Sequence, residues 1–454
     1  MRAHWQELRQ GHPHNSPLVV LSPRWRWLCL LLLALAVGEF LWRGPVRFLY
    51  EGYGWSDISQ VYVPARAWWQ GLNPYDPQTF VAVCRSATGG SPSADDIRTH
   101  SPYPLTTLVV AAPLAVLQWP TAHLAWTVVL VLASLISVTA LALLARLADV
   151  EHAILFAAGA LALAPLHTGI AVGNVSMVAI ALCCAGVWAA ADARHVLSGV
   201  CVGLATCLKP QLGVCLLLYY LLRRQWRIFG IAMVVGAAAL AVGVVRLEIS
   251  GAHWLPDFLR NARGFAADNQ TVDFTENDPI RFTLINLQVL FFSLSGNASL
   301  ARYTALCGGG LLFTTWLYLN LRSRWNSTEL LAVGSLLVLS LLPAYHRNYD
   351  ATLLMFPLAW ALGRLDERMK SIKRWILVLM IPFAIPGPAL LQRWMDAERI
   401  PAGVAQSWWW NSFVMPHEIW ALIAISALLL RALSIDQGRA SRLPGTLEAA
   451  EVEN

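Results

Sequence analysis

The chain is poor in charge. Of its 454 residues only 13% are Asp, Glu, Lys or Arg, while 57% are hydrophobic and the mean hydropathy is +0.52. That is more apolar surface than one soluble core can hide, which excludes a soluble globular domain and leaves a polytopic membrane protein. Other signatures are missing. The sequence has no GxxxxGK[ST] loop for nucleotide phosphates, no HExxH zinc pair and no GxSxG nucleophile, which argues against a nucleotide-driven pump or a common hydrolase. Among the eight cysteines there is no CxxC, and seven (Cys29, Cys183, Cys184, Cys201, Cys207, Cys215 and Cys307) lie in apolar stretches, with only Cys84 in a loop. Neither a disulfide framework nor a cysteine metal site is expected. No internal repeat relates the two halves, and the net charge of +6 implies no nucleic acid, because cytoplasmic loops of membrane proteins are normally basic.

What is present is a series of apolar runs. The first, "WLCLLLLALAVGEFLW", has no small-residue cleavage site after it and reads as a retained helix. Arg2, Arg9, Arg24 and Arg26 precede it, so the N-terminus is expected in the cytoplasm. Basic clusters recur at Arg223, Arg224 and Arg227, at Arg322 and Arg324, at 364–374, and at Arg431, Arg439 and Arg442. All of them face inward if 105–118 and 281–296 are short helices in the outer leaflet and 196–222 is broken around "LKPQ", where Pro210 removes a backbone donor. About twelve crossings follow, with both termini inside. Four polar segments, 44–104, 249–280, 343–350 and 392–417, then share the external face.

The chemistry-bearing residues each admit two readings. Asp57 lies in "GYGWSDISQVYVPARAWWQGLNPYDP", where Trp55, Trp68 and Trp69 suit a lipid interface; it is either an ordinary loop acid or a reactive carboxylate. Asp76 follows "NPY" and suits a turn. Lys209 lies in an apolar zone, where a lysine costs about 3 kcal/mol and either snorkels to the interface or faces a partner. His346, Arg347 and Asp350 in "LLPAYHRNYDATLL" fit a polar helix cap with an internal ion pair as well as a binding site. Asn174 in "GNVS" fits a cap for the next helix.

The order of these features carries more than any one of them. An acid in the first loop, then "YVPARAWWQGLNPYDP", "SPYPLTTLVVAAPLAVL", "GNVSMVAIAL", "GLATCLKPQLGVCLLLYYLLRRQWR" and "LLPAYHRNYDATLL" resembles the polytopic glycosyltransferases of family 87, from about residue 30 to 365. These belong to the GT-C superfamily and include polyprenol-phosphate-mannose-dependent α-1,2-mannosyltransferases. The resemblance implies an all-α bundle of about twelve transmembrane helices with short external juxtamembrane helices, whose expected parts are a cytoplasmic segment 1–26, a catalytic region 27–365 with external loops 44–104 and 249–280, C-terminal helices 366–434 and a cytoplasmic tail 435–454.

It also implies an inverting transfer of a hexose, with mannose favoured, from a polyprenyl-phosphate sugar to a lipid-linked or glycan acceptor. The active site would lie on the external, periplasmic face of the cell membrane, with no cofactor and no metal. Asp57 matches the superfamily's first-loop acid and would be the general base. Lys209, His346 and Arg347, with Arg66 behind them, would hold the donor phosphate; Asn73, Tyr75, Tyr103, Asn174 and Asp350 would position sugar or acceptor. The competing readings are a secondary transporter and a lipid-linked glycan ligase or polymerase. Transfer of labelled sugar from a polyprenyl-phosphate donor separates the transporter from the enzymes.

Overall fold

In the computed structural model, the described residues are 23–51, 56–90, 92–93, 96–147, 149–267, 272–323, 325, 327–363 and 366–440. Trp55, Arg324, Arg364 and the terminal segments carrying Arg2, Arg9 and Arg442 lie outside them. Among the described residues every regular element is helical, apart from one isolated antiparallel bridge between Leu284 and Arg347.

The first apolar run forms α1 (Pro23–Leu41), which passes through a π turn (Trp42–Val46) into the short α2 (Arg47–Glu51). Then come α3 (Ser59–Trp69), α4 (Pro77–Thr88), α5 (Leu105–Ala115) and the long α6 (Trp119–Ala145). Asp76, expected in a turn, is instead the N-cap of α4, accepting from the Gln78 and Thr79 N–H groups. After α7 (Val150–Leu161) and α8 (Ala164–Ala171) the chain continues as α9 (Ser176–Ala191), α10 (His195–Leu208), α11 (Pro210–Leu222) and α12 (Trp226–Ile249). The last part holds α13 (Leu255–Ala267), α14 (Leu287–Ser295), α15 (Ala298–Arg322), α16 (Glu329–Ser340), α17 (Met355–Leu362), α18 (Lys370–Leu379), α19 (Gly387–Asp396), α20 (Ala402–Ala405) and α21 (His417–Ala440).

Five helical stretches among the described residues are long and apolar enough to cross a membrane: Arg24–Tyr50, Trp119–Ala145, Trp226–Ile249, Glu367–Asp396 and His417–Asp436. A sixth is available if α7 and α8, bent by 50° at their junction, count as one span. Five more apolar helices, α5, α9, α10, α11 and α16, are shorter. The protein is therefore a helical membrane protein. Both segments expected to be short helices are short: 105–118 forms α5, and 281–296 forms a single 3-10 turn followed by α14.

Two breaks in this bundle place the site. At "LKPQ" the helix ends at Leu208 and restarts at Pro210, with Lys209 in an extended conformation between them. Proline has no N–H to give and its ring disfavours a helical residue before it, so the last carbonyls of α10 need other partners. Thr107 supplies one, its hydroxyl donating to the Cys207 carbonyl at 2.8 Å, and Thr106 adds another at 3.2 Å. The second break, Val172–Gly173–Asn174, separates α8 from α9. Gly173 takes a φ of +68°, and its Cα faces the Phe48 ring so closely that a β-carbon would collide with it. Only glycine suits both demands. The carbonyls freed at this break accept from the Asp57 N–H (Val172, 2.8 Å) and from the Trp126 indole (Gly173, 2.9 Å). The break thereby pins the loop that carries Asp57.

Candidate active site

The Asn174 side chain, at the end of the second break, faces two ways. Its Oδ1 accepts from the Ser176 N–H at 2.8 Å, the capping role the sequence allows, while its Nδ2 donates to Asp57 Oδ2 at 2.6 Å. The Ser176 hydroxyl donates to the same Oδ1 and accepts from Lys209 Nζ at 2.5 Å. Lys209 then pairs with Asp350 Oδ1 at 2.6 Å, and Asp350 Oδ2 accepts from His346 Nδ1 at 2.9 Å. One chain of hydrogen bonds thus runs from Asp57 to His346 across four separate pieces of sequence. Lys209, His346 and Asp350 are at most 8% exposed, so this is a buried charged network and not a solvated rim. Lys209 makes buried partners and does not snorkel.

The end of the loop 272–286 pairs with the stretch that carries His346 and Arg347. The Ile285 N–H donates to the His346 carbonyl at 3.0 Å and the Leu287 N–H to the Leu342 carbonyl at 2.8 Å, which fixes the "AYHRNYD" stretch in an extended course before its 3-10 turn, Asn348–Leu354. Arg347 holds the Tyr345 hydroxyl at 3.2 Å and lies close enough to Asp57 and Asp278 for its charge to act on both. Tyr103, Tyr345 and Tyr349 lie near enough for the Asp57 and Asp350 charges to act on them, and Lys209 Nζ stands 4.9 Å from the Tyr349 ring centre.

The two acids are driven apart. Burial pushes the Asp57 carboxyl above the usual carboxylate range, against the opposing pull of the Asn174 hydrogen bond and the Arg347 and Lys209 charges. Burial acts on Asp350 in the same sense, but Lys209 and His346 hold that carboxyl well below the usual range. Asp350 is thus a fixed negative charge. Asp57, half-buried and bonded by the described residues through only one of its oxygens, is the better proton acceptor of the pair.

Other residues singled out in the sequence have different contacts. Arg66 donates to the Tyr62 hydroxyl and to the Ala115 and Leu117 carbonyls, capping the end of α5. Asn73 binds Asp257 at 2.7 Å and the His253 carbonyl at 3.2 Å. The Tyr75 hydroxyl donates to the Tyr103 carbonyl at 3.1 Å, and Asn261 holds the Tyr75 carbonyl at 3.0 Å. Asn73 and Tyr75 therefore stitch the segments around 73–76, 101–103 and 253–261 together, and none of these bonds joins the network. Of the tryptophans expected at an interface, Trp68 is buried with its indole on the Gly243 carbonyl, while Trp69 is exposed.

Several participants had no separate signal in the sequence. Ser176 is an unremarkable serine until Lys209 reaches it. Tyr345 and Tyr349 lie inside the "AYHRNYD" stretch, where the sequence singles out only His346, Arg347 and Asp350. Glu418 at the start of α21 is buried against Asn348, two residues past His346, and only the pairing of distant helices reveals it.

The model of glycosyltransferase family 87 matches residues 102–344, more than half of the chain. The chain belongs to glycosyltransferase family 87. It is accordingly a membrane glycosyltransferase, acting with a sugar donor and a glycan acceptor. No curated protein and no solved structure matches it. The family 87 match contains Tyr103, Asn174, Ser176 and Lys209, whereas Asp57 precedes it and His346 and Asp350 follow it. The hydrogen-bond chain brings the three outlying residues to those inside.

Proposed function

We propose that this family 87 glycosyltransferase moves a hexose, mannose by preference, from a polyprenyl-phosphate sugar to a lipid-linked or glycan acceptor at the external face of the cell membrane, with inversion and with Asp57 as general base. The observation that carries the reading is the network itself: a carboxylate of raised proton affinity held by Asn174 and connected through Ser176 and Lys209 to Asp350 and His346, with Arg347 beside it.

In this scheme the acceptor hydroxyl gives its proton to Asp57 as its oxygen attacks the anomeric carbon. The bond from that carbon to the phosphate oxygen breaks, and polyprenyl phosphate leaves. Lys209, His346 and Arg347 receive the charge on the leaving phosphate. An ammonium has three donors, and two of those of Lys209 go to Ser176 and Asp350, which leaves one for a phosphate oxygen. Asp350 holds His346 through Nδ1, so Nε2 is the nitrogen left for a ligand. Tyr103, Tyr345 and Tyr349 offer amphipathic rings and hydroxyls to the sugar.

The test is Asp57→Asn, which keeps the size of the side chain but cannot take the proton. Turnover should fall by about 10²- to 10⁴-fold, with donor affinity and folding kept and no effect of chelator on the wild-type rate. Transfer above a tenth of wild type in a folded preparation removes Asp57 from the role of base.

A further inference from the structure

The stretch that carries His346 and Asp350 is supported differently along its length. Main-chain bonds hold the first part: the Leu287 N–H donates to the Leu342 carbonyl, the Ile285 N–H donates to the His346 carbonyl, and Leu284 bridges to Arg347. Pro343 packs on α15 so closely that a β-carbon on Gly309 would collide with it. Asn348 comes next and opens the 3-10 turn that presents Asp350. Its side chain donates from Nδ2 to Glu418 Oε2, on a helix 70 residues further along the chain.

Glu418 is an unusual residue for its place. It stands in the first turn of α21, within a stretch apolar enough to cross a membrane, and is 1% exposed. Burying a carboxyl group is costly unless a partner binds it. The plain account is that an acid in the first turn suits the positive end of the helix dipole. A water-facing acid would do the same without the cost of burial, and it would not reach Asn348. What the buried acid adds is a tie between α21 and the turn of the donor site.

We propose that Glu418 is a positioning residue of the donor-phosphate site. By holding Asn348 it fixes the 3-10 turn, and with it the Asp350 carboxylate that orients Lys209 and His346. Displacing such a constellation by about 1 Å is enough to cost a large part of its effect. The inference rests on the donor-site reading above and is independent of which residue takes the acceptor proton.

The experiment is equilibrium binding of radiolabelled polyprenyl phosphate, the leaving product of the proposed reaction, to the full chain in neutral detergent. The uncharged polyprenol of the same length is measured beside it. Glu418→Met keeps the length of the side chain and suits an apolar helix, but cannot accept from Asn348. It should weaken polyprenyl phosphate binding about tenfold or more and leave polyprenol binding unchanged. Glu418→Gln keeps an acceptor oxygen and should bind within about twofold of the wild type, because one hydrogen bond of ordinary strength is retained.

Melting curves check that each variant folds. Where Glu418→Met does not fold, Glu418→Met with Asn348→Leu removes both partners, an exchange that is close to neutral for stability, and should show the same loss of phosphate binding. Wild-type polyprenyl phosphate affinity in either folded variant returns Glu418 to the helix-dipole account and overturns the proposal. Equal loss of polyprenol binding overturns it as well, since a general disturbance of the fold moves both probes. Glu418→Gln as weak as Glu418→Met overturns the hydrogen bond to Asn348 as the cause. A wild-type chain that does not bind polyprenyl phosphate removes the donor-site reading and this inference with it.

Discussion

Asn174 shows how one residue can serve folding and chemistry together. Its carbonyl oxygen starts α9 and its amide restrains Asp57, so the cap reading and the site reading of this residue are both true. The amide also sets the acidity of the base. Burial raises the Asp57 pKa, and the Asn174 donor is the first of the groups that pull it back. With that donor removed, burial is less opposed and the pKa climbs further. A base must be ionised to work, so the acid limb of kcat/KM in Asn174→Ala should move to higher pH, with the activity missing at low pH returning as pH rises. A pH–rate profile of a folded variant with its acid limb at or below the wild-type position shows that Asn174 does not govern the charge on Asp57.

At the scale of elements, the helix break at Lys209 and the 3-10 turn at Asp350 hold each other. The break lets the lysine leave the helical course, the turn presents the acid, and their buried pair at 2.6 Å ties α10 and α11 to the "AYHRNYD" stretch. Removing one member of a buried pair strands the other charge, at about 3–5 kcal/mol, whereas replacing both with apolar groups is often neutral. Lys209→Met should therefore destabilise the protein by about that amount, and Lys209→Met with Asp350→Leu should recover the melting temperature. Neither variant should recover transfer, because the phosphate would still lack its lysine. Normal sugar transfer by the double variant, measured with a labelled donor, returns Lys209 to a purely structural role.

At the scale of the molecule, orientation decides whether the site can meet an external donor. The positive-inside pattern predicts 364–374 in the cytoplasm and 392–417 outside. In a Cys307→Ser background, needed because Cys307 is exposed, an impermeant thiol reagent should label Gln406→Cys in intact cells and leave Ser371→Cys unlabelled. Labelling at 371 inverts the protein and moves the site to the cytoplasmic face. The number of crossings is a separate matter. The sequence leads to about twelve by treating each apolar run as a span or a short outer helix. The described helices divide into five or six long spans and five shorter apolar helices, a distinction that depends on where each run breaks.

The sequence by itself determined the membrane class, because apolar composition and run length need no tertiary contact to be read. It also determined the break at Pro210, since proline acts on its immediate neighbours, whereas the cap at Asp76 was read only as a turn. The order of short motifs pointed to the family and to Asp57, Lys209, Asn174, His346 and Asp350 as candidates. What only the tertiary structure decided is how each is used. Whether Lys209 snorkels or pairs depends on the partner within reach of its ammonium, and that partner, Asp350, is 141 residues away. Arg66 was spent on the carbonyls that end α5, and Asn73 and Tyr75 on joining loops, because buried backbone and amide groups take the nearest donors and acceptors available.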